Sequence, residues 1–317
     1  MPLAEKALIA HIRRLARVGR SVVAGIGDDA AVLRLPAGNE ALVTTDFSLE
    51  GIHFRRNWHP AESVGHRCLT RGLSDIAAMG GEPVAAFLSL ALPRKLPQAW
   101  VNGFMRGLLD LAKRAGVTLA GGDTAESPAG VLADIVVVGS VPRGKAILRS
   151  GAKPGDHIYV SGALGGSAAA VERMRKKGKL NPRHYPRHFF PEAWLELGRI
   201  LREKGLASAM IDTSDGLSTD LAHLCEESGV GAEIVAEAIP LASIGKPAGV
   251  VDERFALHGG EDYELLFTVR PRKRVPAQIA GVLLTEIGIV TRGRKVFLRN
   301  AKGVGYEFVA KGWEHLR

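Results

Sequence analysis

Apolar positions recur along this chain at two spacings, and the alternation between helical and extended periods outlines a mixed α/β protein. Leu8, Ile9, Ile12 and Leu15 follow helical spacing with Arg13, Arg14 and Arg17 opposite, which predicts a solvated amphipathic helix rather than a transit or secretion signal. Residues 41–46 read as a strand, 61–79 as a helix, 84–91 as a strand, 98–115 as a helix, and 117–120 and 133–141 as strands. Val141-Pro142-Arg143-Gly144-Lys145 reads as a seam, after which Lys153-Pro154-Gly155-Asp156 turns into a strand at His157–Ser161. Beyond it the spacing predicts helices near 165–177, 192–204 and 216–228, and strands near 232–236, 263–269 and 286–291. Two domains follow, 1–143 and 144–317, as the length of 317 residues suggests.

The longest apolar runs, such as 131–138, are interrupted well short of the roughly 18 residues that a membrane span needs, so no membrane partner is expected. The net charge of +9 raises a nucleic-acid reading. Its basic residues are scattered, however, and the denser run Arg173–Lys179 with Arg183 and Arg187 lacks interleaved aromatics or a DNA-binding helix pair. That run reads as a solvated face; no nucleic acid is expected, although excess positive charge draws in polyanionic substrates. Cys68 and Cys225 stand far apart in no metal-type or redox-type pair, which fits a reducing cytoplasm.

The 38 glycines gather beside Asp and Thr rather than in repeats. Four segments share one grammar: Gly27-Asp28-Asp29-Ala30, Thr44-Thr45-Asp46, Gly121-Gly122-Asp123-Thr124 and Asp212-Thr213-Ser214-Asp215-Gly216. Each is expected at or near a strand end or helix start, and Asp75 adds a fifth carboxylate inside Leu73–Gly81. Taken singly, Asp28, Asp46 and Asp123 read as helix caps or turn formers. Taken together, converging carboxylates would repel, and hard divalent cations such as magnesium, shared with substrate phosphates, are the simplest neutralisation. Two phosphate motifs are near misses. Gly139 to Lys145 has P-loop spacing, but Ala146 stands where Ser or Thr is required, and Gly25–Ala30 has dinucleotide-fingerprint spacing with two acids facing the pyrophosphate.

Gly25–Val32, Thr44–Phe54, Leu73–Gly80, Gly121–Thr124, Arg149–Asp156, Ile211–Leu217 and Gly259–Leu265, in this order, resemble the thiamine-monophosphate kinase family of the aminoimidazole ribonucleotide synthetase superfamily over nearly the whole chain. The resemblance implies an N-terminal α/β domain that dimerises through its sheets into a shared barrel, a C-terminal α/β domain completing an active-site cleft, and a homodimer. It implies ATP-dependent phosphorylation of thiamine monophosphate to thiamine diphosphate by direct in-line transfer, a phosphate group being the acceptor. Carried over by position, Asp29, Thr44, Thr45, Asp46, Asp75, Asp123, Asp212 and Asp215 would bind several magnesium ions. Gly122, Asp123, Arg149 and Ser214 would contact ATP, and His53, Glu261 and Trp313 would contact thiamine monophosphate. Arg149, Asp46 and Asp123 would carry the catalysis, and a monovalent cation is left open.

Plainer readings stand beside these. Trp313 equally suits a pin for the C-terminal segment, His53 a satisfied half-buried histidine, and Arg149 a partner for Asp156. Aminoimidazole ribonucleotide synthetase is the enzymatic alternative, and a non-catalytic nucleotide-binding protein the alternative of another class. Retention of every acidic segment weighs against the latter.

Overall fold

The computed structural model describes residues 1–16, 19–27, 29–300 and 302–313. Two compact units divide the chain: residues 1–76, 81–144 and 189–191 form one, and 77–80, 145–188 and 192–317 the other.

The first unit runs α1 (Glu5–Leu15), β1 (Val22–Ala24), β2 (Val32–Leu33), β3 (Asn39–Leu49), α2 (Ala61–Ala78), β4 (Glu82–Pro93), α3 (Gln98–Ala115), β5 (Thr118–Ser127) and β6 (Leu132–Pro142). β1 and β2 pair alone, and the other strands form a sheet in the order β3-β6-β4-β5. The β4–β5 pairing is parallel, bridged by α3, and the other two pairings are antiparallel. The helices expected at 61–79 and 98–115 form within a residue of their predicted ends. The strands run further than apolar spacing indicated, because Thr44-Thr45-Asp46 lies in the middle of β3 and Gly121-Gly122-Asp123 inside β5, rather than at strand ends. β3 and β5 are the edges of the sheet, so each leaves one side of its backbone ladder unpaired.

Close backbone contact sets the packing of α2 on α3. A Cβ on Gly65 would lie 1.9 Å from the carbonyl oxygen of Phe104, and one on Gly107 would lie 1.9 Å from that of Glu62. The helices therefore touch through main chain, and Phe104, Met105 and Leu108 are wholly buried beside the contact.

The second unit runs β7 (His157–Ser161), α4 (Gly166–Lys177), α5 (Pro186–Phe189, whose last residue counts with the first unit), α6 (Leu195–Glu203), β8 (Ala207–Asp212), α7 (Leu217–Ser228), β9 (Gly231–Val235), β10 (Ser243–Ile244), β11 (Gly249–Val250), α8 (Glu253–His258), β12 (Leu265–Val269), β13 (Gln278–Ile279), β14 (Val282–Thr291), β15 (Val296–Arg299) and β16 (Gly305–Glu307). Its main sheet has the order β16-β15-β9-β14-β7-β12-β8, with β13 paired to β14. Both faces are covered. Ile211 and Leu266 pack with Leu217, Leu221 and Leu224 of α7, whereas Met210, Leu265 and Phe267 pack with Leu197 and Leu201 of α6. This explains why β12 is an unbroken apolar run in which every residue is buried. β8, α8 and β15 escape the sequence reading; β8 begins Ala-Ser-Ala-Met, without the β-branched or aromatic residues that mark a strand.

Two buried acids hold the start of β12. Asp262 caps α4 from a distance, accepting the amides of Gly165 (2.5 Å) and Ser167 (3.1 Å). Glu264 accepts the Ser161 hydroxyl and the Arg187 guanidinium, each at 2.5 Å. Burial pushes each carboxyl up to about 7, against the opposing pull of those donors.

Gly107→Ala should destabilise the protein by about 2 kcal/mol, because overpacking against a backbone carbonyl outweighs the ~1 kcal/mol gained in helix propensity. A denaturation midpoint at or above that of the wild type would refute this account of the α2–α3 contact. Because the native state keeps protons on Asp262 and Glu264 that the unfolded chain has released between pH ~4 and ~7, their contribution to stability falls as pH rises through that window. Denaturant titrations at pH 5 and pH 8 should therefore show the Asp262→Asn, Glu264→Gln double variant losing less stability than the wild type; equal losses would refute the assignment.

Candidate active site

In the first unit, two edge strands, one helix and the Gly27 loop present the predicted acids. Thr44 and Asp46 alternate onto the face of β3 that α2 covers, and Thr44 Oγ1 donates a hydrogen bond to Asp75 Oδ2 of α2. Close approach is possible because Gly72 lies beneath: a Cβ there would meet Val137 Cγ2 at 2.5 Å and Thr44 Cγ2 at 3.6 Å. Thr45 points to the opposite face, where its hydroxyl donates to Asp134 Oδ1 at 2.7 Å. The structure thus gathers Thr44, Asp46 and Asp75 and separates Thr45 from them. His53 sits on the turn after β3, its Nδ1 accepting the Leu49 amide at 2.9 Å, which assigns the ring proton to Nε2.

The register carries these positions across the sheet. Asp46 pairs with Ile135, Ile135 with Leu88, and Leu88 with Gly122. Gly122 is therefore level with Asp46 on the far edge, about 14 Å away by interstrand spacing. At Gly122 φ is +144°, and a Cβ would lie 1.9 Å from the Leu88 carbonyl oxygen, so only glycine fits. Asp123 follows, exposed, with Oδ1 accepting the Thr124 amide at 2.8 Å. Gly122, Asp123 and Thr124 line a cavity of ≈ 560 Å³ with Asp29 of the Gly27 loop. Asp28 of the same motif lies outside the described residues. The cavity has the size of a small-molecule site, with an apolar wall and a rim of glycines and carboxylates.

In the second unit, backbone hydrogen bonds stitch three predicted segments together. The Thr213 amide donates to the Glu264 carbonyl (2.8 Å), the Tyr263 amide to Thr213 (3.0 Å) and the Glu261 amide to Ser214 (2.8 Å). The Trp313 amide donates to the Asp215 carbonyl at 3.0 Å, and Gly312 to Thr219 Oγ1 at 3.0 Å. Ser214, Asp215, Glu261 and Trp313 consequently share the N-terminal end of α7, with the Trp313 side chain half exposed. Asp212, the last residue of β8, is buried beside them. Glu261 at φ +66° and Tyr263 at φ +54° hold left-handed backbone, so the segment is a fixed turn rather than an extended approach to β12.

Arg149 lies elsewhere. It is exposed, and its carbonyl accepts the hydroxyl of Ser228, the last residue of α7, about 18 Å of helix away from Ser214. The alternative in which Arg149 serves Asp156 is overturned: Asp156 is held by Arg270 at 2.7 Å, by the Ser208 hydroxyl at 2.8 Å and by the Lys153 amide at 3.0 Å.

Sequence reasoning missed Asp220. Its carboxylate accepts the amides of Asp215 (3.2 Å) and Gly216 (2.9 Å), fixing the turn that carries Ser214. Burial, and then the charges of Asp212 and Asp215, raise its carboxyl well above the usual range. The available signal was an acid four residues after a helix-opening glycine. Cys68 and Cys225 are excluded as nucleophiles, since burial pushes both thiols up to about 12.

The acidic site donors are carboxylate and hydroxyl oxygens, which suit a hard cation, and no group of three or more His, Cys, Asp or Glu gathers into a ready-made metal cage among the described residues. Magnesium fits such a donor set, because it commonly takes one or two carboxylates and completes its shell with water and phosphate.

Residues 27–141 match the family described as AIR synthase related protein, N-terminal domain, and residues 153–299 match its C-terminal domain. The chain is 37% identical over 331 aligned positions to the thiamine-monophosphate kinase of Salmonella typhimurium, covering 99% of both. It is 33% identical over 312 positions to that of Bacillus subtilis, covering 94% of both. The crystal structure of thiamine-monophosphate kinase from Stenotrophomonas maltophilia K279a superposes with a TM-score of 0.81 at 35% identity, over 94% of this chain and 97% of that one. AaThiL complexed with AMPPCP and TMP superposes with a TM-score of 0.77 at 33% identity, over 89% of both chains. With both domains matched in order and similarity running end to end, the chain belongs to the thiamine-monophosphate kinase family.

Proposed function

We propose that this protein transfers the γ-phosphoryl group of ATP to the phosphate of thiamine monophosphate, giving thiamine diphosphate and ADP. The observation that carries the reading is whole-length likeness to relatives of that name, among them a structure complexed with AMPPCP and TMP. The acceptor is a phosphate oxygen already ionised at neutral pH, so the reaction needs alignment and charge neutralisation more than a general base. Asp29, Thr44, Thr45, Asp46, Asp75, Asp123, Asp212 and Asp215 are the residues proposed to hold several magnesium ions. When bound, magnesium neutralises charge on the phosphate oxygens of the transferring group.

The chain's own residues orient the reactants. Gly122, without a side chain, lets phosphate approach the β5 backbone, and Ser214 offers a hydroxyl at the start of α7. Arg149 is proposed as a phosphate-neutralising cation, and its distance from Ser214 makes these separate points of contact. The half-exposed indole of Trp313 can stack on the cationic thiazolium or the pyrimidine, with Glu261 beside it to meet the ligand's charge or amino group. His53, with its proton on Nε2, is a neutral donor for the same substrate.

The homodimer is part of this reading. Val43 and Phe47 stand 68% and 57% exposed on the face of β3 opposite α2, and large apolar side chains so placed suit a second copy closing a shared barrel. The functional division proposed is 1–143 for nucleotide, magnesium and dimerisation and 144–317 for the remaining substrate contacts. No helix among the described residues is long and apolar enough to cross a membrane, and the two free buried thiols accord with a proposed cytoplasmic location.

Thiamine monophosphate, ATP and magnesium mixed with the protein should yield thiamine diphosphate and ADP in equal amounts, and a chelator should stop the reaction. Folded protein that makes no thiamine diphosphate yet phosphorylates another acceptor would overturn the proposal. Asp46→Asn and Asp123→Asn should each lower kcat/KM about 100-fold, roughly 2.7 kcal/mol of transition-state stabilisation, with the circular dichroism spectrum unchanged. Near-normal turnover of both variants at low magnesium would contradict the roles of those carboxylates.

A further inference from the structure

The first helix has no role in the site described so far, yet it forms one wall of the cavity in the first unit. Ile9, Ile12 and Arg13 stand at i, i+3 and i+4 of α1 and therefore share one face. Ile9 and Ile12 line the ≈ 560 Å³ cavity opposite Gly122 and Asp123. Ile9 is 38% exposed, an apolar side chain left in contact with water at the cavity. Arg13 lies behind the lining, against Gly27 of the glycine loop: a Cβ on Gly27, at φ +126°, would be 2.5 Å from its Nη1 and 2.6 Å from its Cζ. A side chain at position 27 would displace the guanidinium.

One wall, then, carries two isoleucines, a cation stands beside the glycine loop next to it, and carboxylates of Asp29 and Asp123 complete the lining. The hydroxyl oxygen of Thr124, also in the lining, is shielded from solvent without a hydrogen-bond partner among the described residues. Leaving such a group unmatched costs about 1–3 kcal/mol, which a ligand donor or acceptor would recover. A ligand that satisfies the whole arrangement has a flat apolar part, a polar middle and a polyanionic tail able to share cations with Asp29 and Asp123. A nucleoside triphosphate has that form.

We propose that α1 is part of the nucleotide site, Ile9 and Ile12 packing on the base or ribose and Arg13 contacting the phosphate tail. The inference rests on the kinase reading only for its kinetic arm. Affinity is measured by calorimetry with an unreactive ATP analogue and with AMP, and KM is measured for ATP and for thiamine monophosphate. Arg13→Ala should weaken the analogue and raise KM for ATP about tenfold, the equivalent of ~1.4 kcal/mol, and leave AMP affinity and the KM for thiamine monophosphate within about twofold. Arg13→Lys should recover part of the loss, which a purely structural role for the guanidinium would not predict. Ile9→Ser should weaken analogue and AMP alike, about threefold to fivefold, as removal of apolar contact does. Arg14→Ala, exposed one residue further along, should change nothing. Unchanged analogue affinity in both Arg13→Ala and Ile9→Ser would overturn the proposal, as would a wild type that binds no analogue. A wild type that binds the analogue but forms no thiamine diphosphate would instead sink the kinase reading and leave the calorimetry to decide the role of α1.

Discussion

Carboxylates that accept hydrogen bonds from the protein's own backbone and hydroxyls hold the remainder of the site in shape. In the second unit Asp220 closes the turn at Ser214 through two amides, Asp262 caps α4, and Glu264 ties β7 to the start of β12 through Ser161. Each is nearly or wholly removed from solvent, where a bare carboxylate would be prohibitively costly and where donors recover much of that cost. Their geometry sets where the exposed side chains stand. Glu261 holds left-handed backbone next to the anchored Asp262, and the Trp313 amide donates a hydrogen bond to the Asp215 carbonyl in the turn that Asp220 fixes.

Two populations of acid therefore coexist in a chain of net charge +9. Asp220, Asp262 and Glu264 are buried, raised toward the neutral form by desolvation, and occupied by internal donors. Asp29 and Asp123 are exposed at a cavity, so their charge is available to something that binds there. Drawn toward the protonated form and internally bonded, the buried acids do not compete for cations at the cavity. Asp75 stands between the two cases, partly exposed yet bonded to Thr44.

Main-chain contact does comparable work in the first unit. At Gly65 and Gly107 two helices meet without side chains, and at Gly122 one strand meets the carbonyl of the next. These contacts leave little slack in the elements that carry Asp75 and Asp123. The cavity is thus bounded by rigid strand on one side and by α1 on the other.

Much of the architecture was legible in the chain itself. The helices at 61–79 and 98–115 and the strand at 157–161 were readable because period, glycine and proline are local properties, and the ordered acidic motifs were readable because their letters lie next to one another. Tertiary structure alone decided the rest. It turned Thr45 away from Thr44 and Asp46, gave Asp156 to Arg270 rather than Arg149, built β8 from residues with weak strand preference, and extended β5 through Gly122. It also sorted the acids: nothing adjacent to Asp262 or Asp220 distinguishes it from Asp123. Burial depends on neighbours contributed by distant segments, and together with internal donors it sets Asp220, Asp262 and Glu264 apart from the exposed Asp29 and Asp123.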